Sequence, residues 1–181
     1  MKIDKSYIEF IQSIKKQIIQ SRYAAARLAN REQLMLYFKT GLMISEKIKA
    51  QKWGAKVLDQ ISADLQKELP GLKGFSSGNL KKIRLFAEAY APHIVISSMA
   101  SNQIGLSGFG EGFSISSTLS NLIENKAFYE AFAGISFSHH FTIITKIKAW
   151  EARVFYIQSA AANFWSLTLL ERNPPSNPSY L

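Results

Sequence analysis

The sequence predicts an all-α, multi-helix domain with a helix-turn-helix-like pair and an irregular Gly/Ser-rich insert. Apolar residues recur at spacings of three, four or seven along most of the chain, a pattern typical of amphipathic helices. Most of the glycines and prolines fall between these periodic segments, where helices end. The 181 residues are 47% hydrophobic and 19% charged, so we expect a packed core rather than wholesale disorder.

Two helical segments open the chain. The first spans residues 4–28, and its apolar stripe consists of Tyr7, Ile11, Ile14, Ile18, Ala25 and Leu28. The second runs from about residue 30 to 51, with Asn30 as a candidate N-cap, and its stripe consists of Leu34, Tyr37, Gly41, Ile44 and Ile48. A glycine inside a helix costs roughly 1 kcal/mol relative to alanine, so Gly41 indicates close approach of another helix. Periodicity is compatible with one continuous helix and with an antiparallel hairpin.

The helix-turn-helix-like pair follows a break at Trp53-Gly54. A helix over about residues 55–69 is predicted to bury Val57, Leu58, Ile61 and Leu65. Pro70 and Gly71 end that helix. Ser77 is predicted to cap a further helix over about residues 78–90, whose buried stripe consists of Leu80, Ile83, Ala87 and Tyr90.

The rest of the chain divides into an insert, a second helical half and a tail. Within the insert, HIVIS and FSIS are candidate short strands, and a loose linker is an equal alternative. Helices resume over about 118–132, from Ser136 or Ser138 to 148, over 149–164, and after a cap at Ser166. The predicted organisation is one domain over 1–173, made of a basic helical half (1–90), the insert (91–117) and a C-terminal helical half (118–173), followed by a disordered tail over 174–181.

Positive charge is concentrated in the first half. The chain has 22 Lys and Arg against 13 Asp and Glu, a net charge of +9. Residues 1–92 hold 17 of the basic and 8 of the acidic residues, so they carry the whole excess. Such asymmetry favours a polyanionic partner, with duplex DNA first among the candidates, although a merely solvated basic surface is the alternative.

The predicted helix after Ser77 is the candidate nucleic-acid-binding element. Helices enter the major groove with their N-terminal residues near base edges, while flanking cations meet phosphates. The predicted binding residues are Lys73, Ser76, Ser77, Asn79, Lys81, Lys82 and Arg84. The predicted turn of about seven residues is longer than the usual three or four of a helix-turn-helix.

No catalytic residue, metal site or cofactor is predicted. The chain has no cysteine, which excludes thiolate chemistry and fits a reducing cytoplasm. His139 and His140 are adjacent and point about 100° apart on a helix, so they do not chelate as a pair; one is expected to pack or hydrogen-bond and the other to face water. The string GFGEG lacks the GKS/T of a phosphate-binding loop. We expect no secretory signal and no membrane span.

A long segment carries a family resemblance. The pattern WGxKVLxQxSxDLxxxxPGxxGFSxxNLxxxRxF, together with Arg22, Ala26, Asn30, Leu36, Tyr37, Gly41 and Tyr90, resembles the N-terminal domain of the YhcG-type family of predicted bacterial nucleases. Further matches are SFSHH, with Phe137 in place of the family's Trp, and Arg153, Phe155, Tyr156, Trp165, Ser166, Leu170, Glu171 and Arg172. The resemblance covers about residues 10–173, with the insert unmatched.

The resemblance implies a helical module whose relatives continue into a PD-(D/E)XK nuclease domain holding the catalytic acids and metal. Because this chain changes abruptly to NPPSNPSYL after Arg172, we expect it to be truncated before that domain and to be no enzyme by itself. The leading interpretation is a non-catalytic DNA-recognition module. The alternatives are a protein-interaction module, in which residues 4–51 self-associate or dock on a separate nuclease or defence-system subunit, and an inert gene remnant.

Overall fold

The computed structural model describes residues 5–52, 54, 56–97, 112–115 and 122–172. Within these ranges the chain forms seven helices and two short strands. The helices are α1 (Lys5–Gln51), α2 (Val57–Glu68), α3 (Ser77–Tyr90), α4 (Leu122–Gly134), α5 (Phe137–Lys146), α6 (Trp150–Ala162) and α7 (Leu167–Arg172). Trp53, the GFGEG string up to Glu111, most of the remaining insert and the tail lie outside the described residues.

The predicted all-α class is therefore confirmed. The two strands, β1 (Ile94–Ser97) and β2 (Gly112–Ile115), pair antiparallel with Ile94 opposite Ile115 and Ser97 opposite Gly112. They coincide with the HIVIS and FSIS segments, so the two candidate strands of the insert pair with each other rather than forming a linker throughout.

Helix α1 is one continuous helix of 47 residues, which decides between the two arrangements that periodicity left open. Its two halves differ sharply in burial. From Leu34 onward the predicted stripe enters the core, with Leu34, Tyr37, Gly41 and Ile44 buried and Ile48 half-buried. Every residue from Lys5 to Ala26 is exposed instead, so the first predicted stripe is amphipathic in sequence, but the other described residues do not bury it.

Helices α1 and α3 approach closely at Gly41. A Cβ placed on Gly41 would collide with the backbone carbonyl oxygen of Ile83 and would lie 2.6 Å from the Cβ of Ala87. Real Cβ atoms do not approach other atoms that closely, because the repulsion between overlapping electron shells rises steeply. The glycine is therefore required by helix packing, as its position on the stripe indicated.

Helix α3 is the central element of the core. Its predicted stripe is fully buried, and Phe86 joins it: Leu80, Ile83, Phe86, Ala87 and Tyr90 all have 0% exposure. Helix α2 is more peripheral, because Val57, Leu58, Ile61 and Leu65 are only half-buried and no residue of α2 is fully buried. The prediction that α2 buries its apolar stripe is thus only partly fulfilled.

A buried polar chain links α3, α4 and α5. His140 lies at 0% exposure, with its Nδ1 atom 3.0 Å from the Tyr90 hydroxyl and its Nε2 atom 2.9 Å from the carbonyl oxygen of Phe132. A carbonyl only accepts, so Nε2 carries the proton and Nδ1 accepts from Tyr90. Burial lowers the pKa of His140 to about 3, partly opposed by the bond to Phe132 and reinforced by His139. The imidazole is consequently neutral in the folded protein.

Two further side chains join helix ends to distant elements. Asn30 does not cap a helix start, because α1 runs through it; its amide donates to the carbonyl oxygens of Ala133 (2.7 Å) and Ile135 (2.9 Å) at the end of α4. Arg153 of α6 donates to the carbonyls of Ile147 (2.8 Å) and Ala89 (3.1 Å). Both side chains satisfy carbonyls that helix ends leave without an intrahelical donor.

Replacing Gly41 by alanine should destabilise the domain. The new methyl group must push α1 and α3 apart, and overpacking of this kind costs about 1–3 kcal/mol. Gly78→Ala is the matched control, because a Cβ at Gly78 meets nothing within 4 Å and alanine favours a helix by up to about 1 kcal/mol. Urea unfolding, monitored by circular dichroism, should show a lower free energy of unfolding for Gly41→Ala only. Equal midpoints for the two variants would contradict the close approach.

Acid should destabilise the domain through His140. Its pKa is about 3 when folded and about 6.5 when unfolded, so the unfolded state binds the extra proton between these values. The contribution of neutral His140 to the free energy of unfolding is fully present above pH 6.5. It decreases by about 1.4 kcal/mol per pH unit as the pH falls toward 3. Between pH 7.5 and 4.5 we expect a loss of about 2–3 kcal/mol from this group.

The measurement is urea unfolding at both pH values for wild type, His140→Gln and His139→Gln. The His140 variant should be less stable than wild type at pH 7.5 and should lack the part of the stability loss in acid that comes from His140. The His139 variant should keep that part. All three proteins share the same carboxylates. Subtracting the pH-dependent change in unfolding free energy of one protein from that of another therefore removes the carboxylate contribution. An identical acid loss in all three would show that His140 is not the buried neutral group described.

Candidate nucleic-acid interface

The connection into α3 is a closed, hydrogen-bonded turn. Ser76, and not Ser77, is the N-cap: its backbone is extended (φ −62°, ψ 156°) and its hydroxyl accepts from the Asn79 N–H at 3.4 Å. The Asn79 side-chain amide donates to the Gly74 carbonyl. Gly74 has φ +90°, a backbone conformation that favours glycine. A Cβ there would also lie 2.9 Å from the Tyr37 hydroxyl, which would have to move. The predicted cap is therefore displaced by one residue.

This turn determines which polar groups remain available. Asn79 is half-buried and already bonded to the turn, and the Ser76 hydroxyl is committed to its cap. The backbone N–H groups of Ser77 and Gly78 belong to the first helical turn, where no intrahelical acceptor exists. Gly78 is exposed and has no side chain to keep a ligand at a distance.

Lys81 and Lys82 are the exposed cations of α3. They lie on the same open face as Gly78 and Leu85, opposite the buried stripe. The Lys82 ammonium group lies 5.3 Å from the centroid of the Phe141 ring on α5, an attractive cation–π geometry. Lys73 is exposed in the connection between α2 and α3. The structure thus brings Lys81 and Lys82 together and places Lys73 in the preceding turn.

Arg84 is placed differently from the other predicted binding residues. Its side chain is only 27% exposed and its Nε atom lies 3.6 Å from Glu88 Oε1. The same carboxylate oxygen accepts from the Ser45 hydroxyl of α1 at 2.7 Å. Arg84 therefore takes part in the contact between α3 and α1, and its guanidinium is not presented on the open face with the two lysines.

Helices α5 and α7 border this face. A shallow depression beside Asn79 and Lys82 is lined further by Phe137, Ser138, Phe141, Thr142, Leu167 and Glu171. At its margin the Lys146 ammonium donates to the Glu171 carbonyl at 3.3 Å. The sequence did not predict these residues, because they lie at least 47 positions beyond the end of α3 and only the exposed polar members, Ser138, Lys146 and Glu171, carry a signal that could have indicated them.

Neither histidine of the SFSHH segment faces water as a potential ligand. His139 Nδ1 lies 2.7 Å from the Ser136 hydroxyl, and its Nε2 lies 2.9 Å from the Trp165 carbonyl, which fastens α5 to the connection between α6 and α7. The expectation that one histidine is solvated is wrong, because both are hydrogen-bonded on both nitrogens. Among the described residues no group of three or more His, Asp or Glu side chains is arranged to hold a metal ion.

No helix in the described part of the chain combines the length and apolarity needed to cross a bilayer.

Comparison with known proteins gives one family and no individual relative. A search of curated proteins finds no match, and a search of solved structures also finds none. The family model of the DUF1016 N-terminal domain matches residues 13–177, which include the insert as well as both helical halves. YhcG-type proteins are the DUF1016 family, in agreement with the resemblance carried by the segment from Trp53 to Tyr90. The chain belongs to the DUF1016 N-terminal domain family, a family of unknown function.

Proposed function

We propose that this chain is a non-catalytic DNA-recognition module of a YhcG-type nuclease system, acting in the cytoplasm, with α2 and α3 used as a helix-turn-helix. The observation that carries the proposal is the open face of α3. There two exposed lysines, Lys81 and Lys82, stand beside a helix N-terminus whose backbone N–H groups have no intrahelical acceptor. Cations and N-terminal amides together favour phosphate groups.

The shape of this face supports contact with a duplex. Gly78 and Ser77 present little bulk at the first turn, so a phosphate could approach the backbone amides closely. Lys81 and Lys82 follow within one turn and would meet phosphates on either side. Lys73 in the preceding connection would add a further contact. Arg84 and Asn79 would act indirectly, by holding α3 and its first turn in place.

The distribution of charge supports the same side of the molecule. The entire excess of positive charge lies in residues 1–92, the part of the chain that contains α2 and α3. Phosphate attraction of this kind is largely independent of sequence and gives affinity before it gives specificity. The proposal includes no catalytic step, and it assigns duplex cleavage to none of these residues.

A docking surface for a nuclease subunit is the second candidate for this face. Leu85 lies between the lysines and the end of α3 with 36% exposure, and an apolar side chain ringed by charge is common at protein interfaces. The two candidates differ in their response to salt and in their need for a polyanion, so one titration separates them.

We expect duplex DNA to bind with strong salt dependence. About five phosphate contacts would lower the affinity roughly 10²–10³-fold between 50 and 200 mM salt. In Lys81→Glu/Lys82→Glu the slope of log affinity against log salt should fall by about two, since two phosphate contacts are lost. Fluorescence-anisotropy titration of a labelled duplex measures both quantities. Arg84 is left unchanged, because reversing it would set two carboxylates against each other at Glu88.

Lys47→Glu/Lys49→Glu is the matched control. It makes the same change in net charge on exposed lysines of α1, beyond the contact of Ser45 with Glu88 near the C-terminal end of α3. If DNA were attracted only by the overall positive charge, the two variants would lose affinity for DNA equally. Recognition by α3 requires the larger loss for the Lys81 and Lys82 variant. Absence of binding to duplex DNA at 50 mM salt would reject the proposal and favour the docking surface. Preference for duplex RNA would reject the assignment to DNA.

A further inference from the structure

The N-terminal part of α1, from Lys5 to Ala26, carries an apolar surface that the rest of the described chain leaves exposed. Residues 5–26 are all exposed, and several are large and apolar: Ile8, Phe10, Ile11, Ile14, Ile18 and Ile19 are between 37% and 61% exposed, and Leu28 follows at 58%. Its C-terminal part contacts the rest of the described chain at Tyr23, whose ring lies 6.2 Å from Phe164, and at Arg27, which donates to the Glu130 carbonyl. Solitary exposed apolar residues are ordinary, but a contiguous strip of this size marks an interaction surface.

One line of residues within this surface has the spacing of a coiled-coil seam. Steps of three and four residues alternate along Ile11, Ile14, Ile18, Ser21, Ala25 and Leu28, which are successive a and d positions of a heptad repeat. At about 100° per residue this seam lies on roughly the opposite side of α1 from the stripe that enters the core. The repeat stops at the domain body, since the next two positions are the charged Glu32 and the buried Met35.

The charges around the seam permit one orientation of two identical helices. No charged residue occupies an a, d or g position between Phe10 and Leu28: Lys15 and Arg22 are at e, Glu9 and Lys16 at f, and Arg27 at c. In a parallel pair, e faces g of the partner, so Lys15 meets Phe10 and Arg22 meets Gln17, and their aliphatic stems can cover the seam. In an antiparallel pair e faces e, which would set lysine and arginine against each other.

We propose that residues 10–28 of α1 pair with the same residues of a second copy as a parallel, in-register two-stranded coiled coil. We assign the partner helix to a second copy, because its Ile11, Ile14 and Ile18 would lie at the same levels along the paired helices. Each apolar layer would then meet its own counterpart, and no charged residue would lie inside the seam. A paired helix of this length, about 27 Å, buries on the order of 500–800 Å² per chain. The total of about 1,000–1,600 Å² starts at the minimum of roughly 1,000 Å² expected of a specific interface, and the symmetry is the two-fold that most homo-oligomers adopt.

Salt should strengthen this association. Residues 5–29 contain five basic residues and one acidic residue, so two parallel segments repel each other through water and screening relieves that repulsion. DNA binding by α3 has the opposite salt dependence. Failure of one proposal is thus distinguishable from failure of the other.

The mass in solution tests the pairing. Sedimentation equilibrium at tens of micromolar and about 0.5 M salt should give about twice the chain mass of 20.3 kDa. Ile18→Glu and Ile19→Glu form a matched pair, because the residues are adjacent, equally apolar and 49% and 55% exposed, while only Ile18 lies in the seam. Ile18→Glu should weaken dimerisation at least about 100-fold, since two carboxylates would meet in an apolar layer, and Ile19→Glu should leave it within a few-fold.

A monomeric wild-type protein, or equal loss in the two variants, would overturn the proposal. A monomer that instead captures an acidic amphipathic helix supplied as a peptide would also overturn it and would assign the seam to a different partner. Neither variant touches the core, so circular dichroism should confirm that both remain folded.

Cysteine cross-linking tests the orientation. The chain has no native cysteine, so a single introduced thiol reports one position. In the parallel pair Ser21 faces its own counterpart, so Ser21→Cys should form a disulfide dimer under mild oxidation. Gln20→Cys, one residue away on the outer side of the helix, should not. A dimer in which Ser21→Cys fails to cross-link would refute the parallel register.

Discussion

The close approach of α1 and α3 at Gly41 is the constraint on which the rest of the structure depends. With the two backbones almost in contact, α3 is held at the centre of the domain, and its stripe from Leu80 to Tyr90 is sealed by α1 on one side and by α4 and α5 on the other. Only a narrow face of α3 is left open, and that face carries Lys81 and Lys82. The candidate interface is therefore a consequence of core packing: whichever side chains occupy the remaining face are the ones a ligand can reach.

Several polar residues, including both histidines of the SFSHH segment, hydrogen-bond one helix to another element. His140, Tyr90 and the Phe132 carbonyl form a buried chain across three helices, while His139, Asn30 and Arg153 each satisfy carbonyls at the ends of other elements. Burial also raises the pKa of Tyr90, with Arg153 acting in the opposite direction, so its hydroxyl stays protonated and donates. Buried hydrogen bonds of this kind specify one arrangement of the helices, since an unpaired polar group in the core costs about 1–3 kcal/mol.

The two surfaces proposed for binding differ in the physical interaction that each would use. The face of α3 combines cations with helix amides and would act through charge, whereas the seam from Ile11 to Leu28 is free of charge at its contact positions and would act through apolar burial. The seam lies on the N-terminal half of α1. The face with the lysines belongs to α3, which packs against the C-terminal half of α1. A paired α1 would hold two copies of the α3 face in one assembly, as two-fold DNA-binding proteins do.

The sequence by itself determined the helical class, the continuation of the core stripe through Leu34 and Gly41, the end of α2 just before Pro70, and the buried stripe of α3. These features follow from periodicity and local backbone preference. Ser76 displaced Ser77 as the cap because Gly74 and Asn79 close the turn one residue earlier. Only the tertiary structure decided that α1 is continuous, that Asn30 bonds to carbonyls 103 and 105 residues away, and that Arg84 pairs with Glu88 instead of facing outward. A local pattern shows that a helix face is apolar or polar, but which segment covers that face depends on how distant parts of the chain pack together.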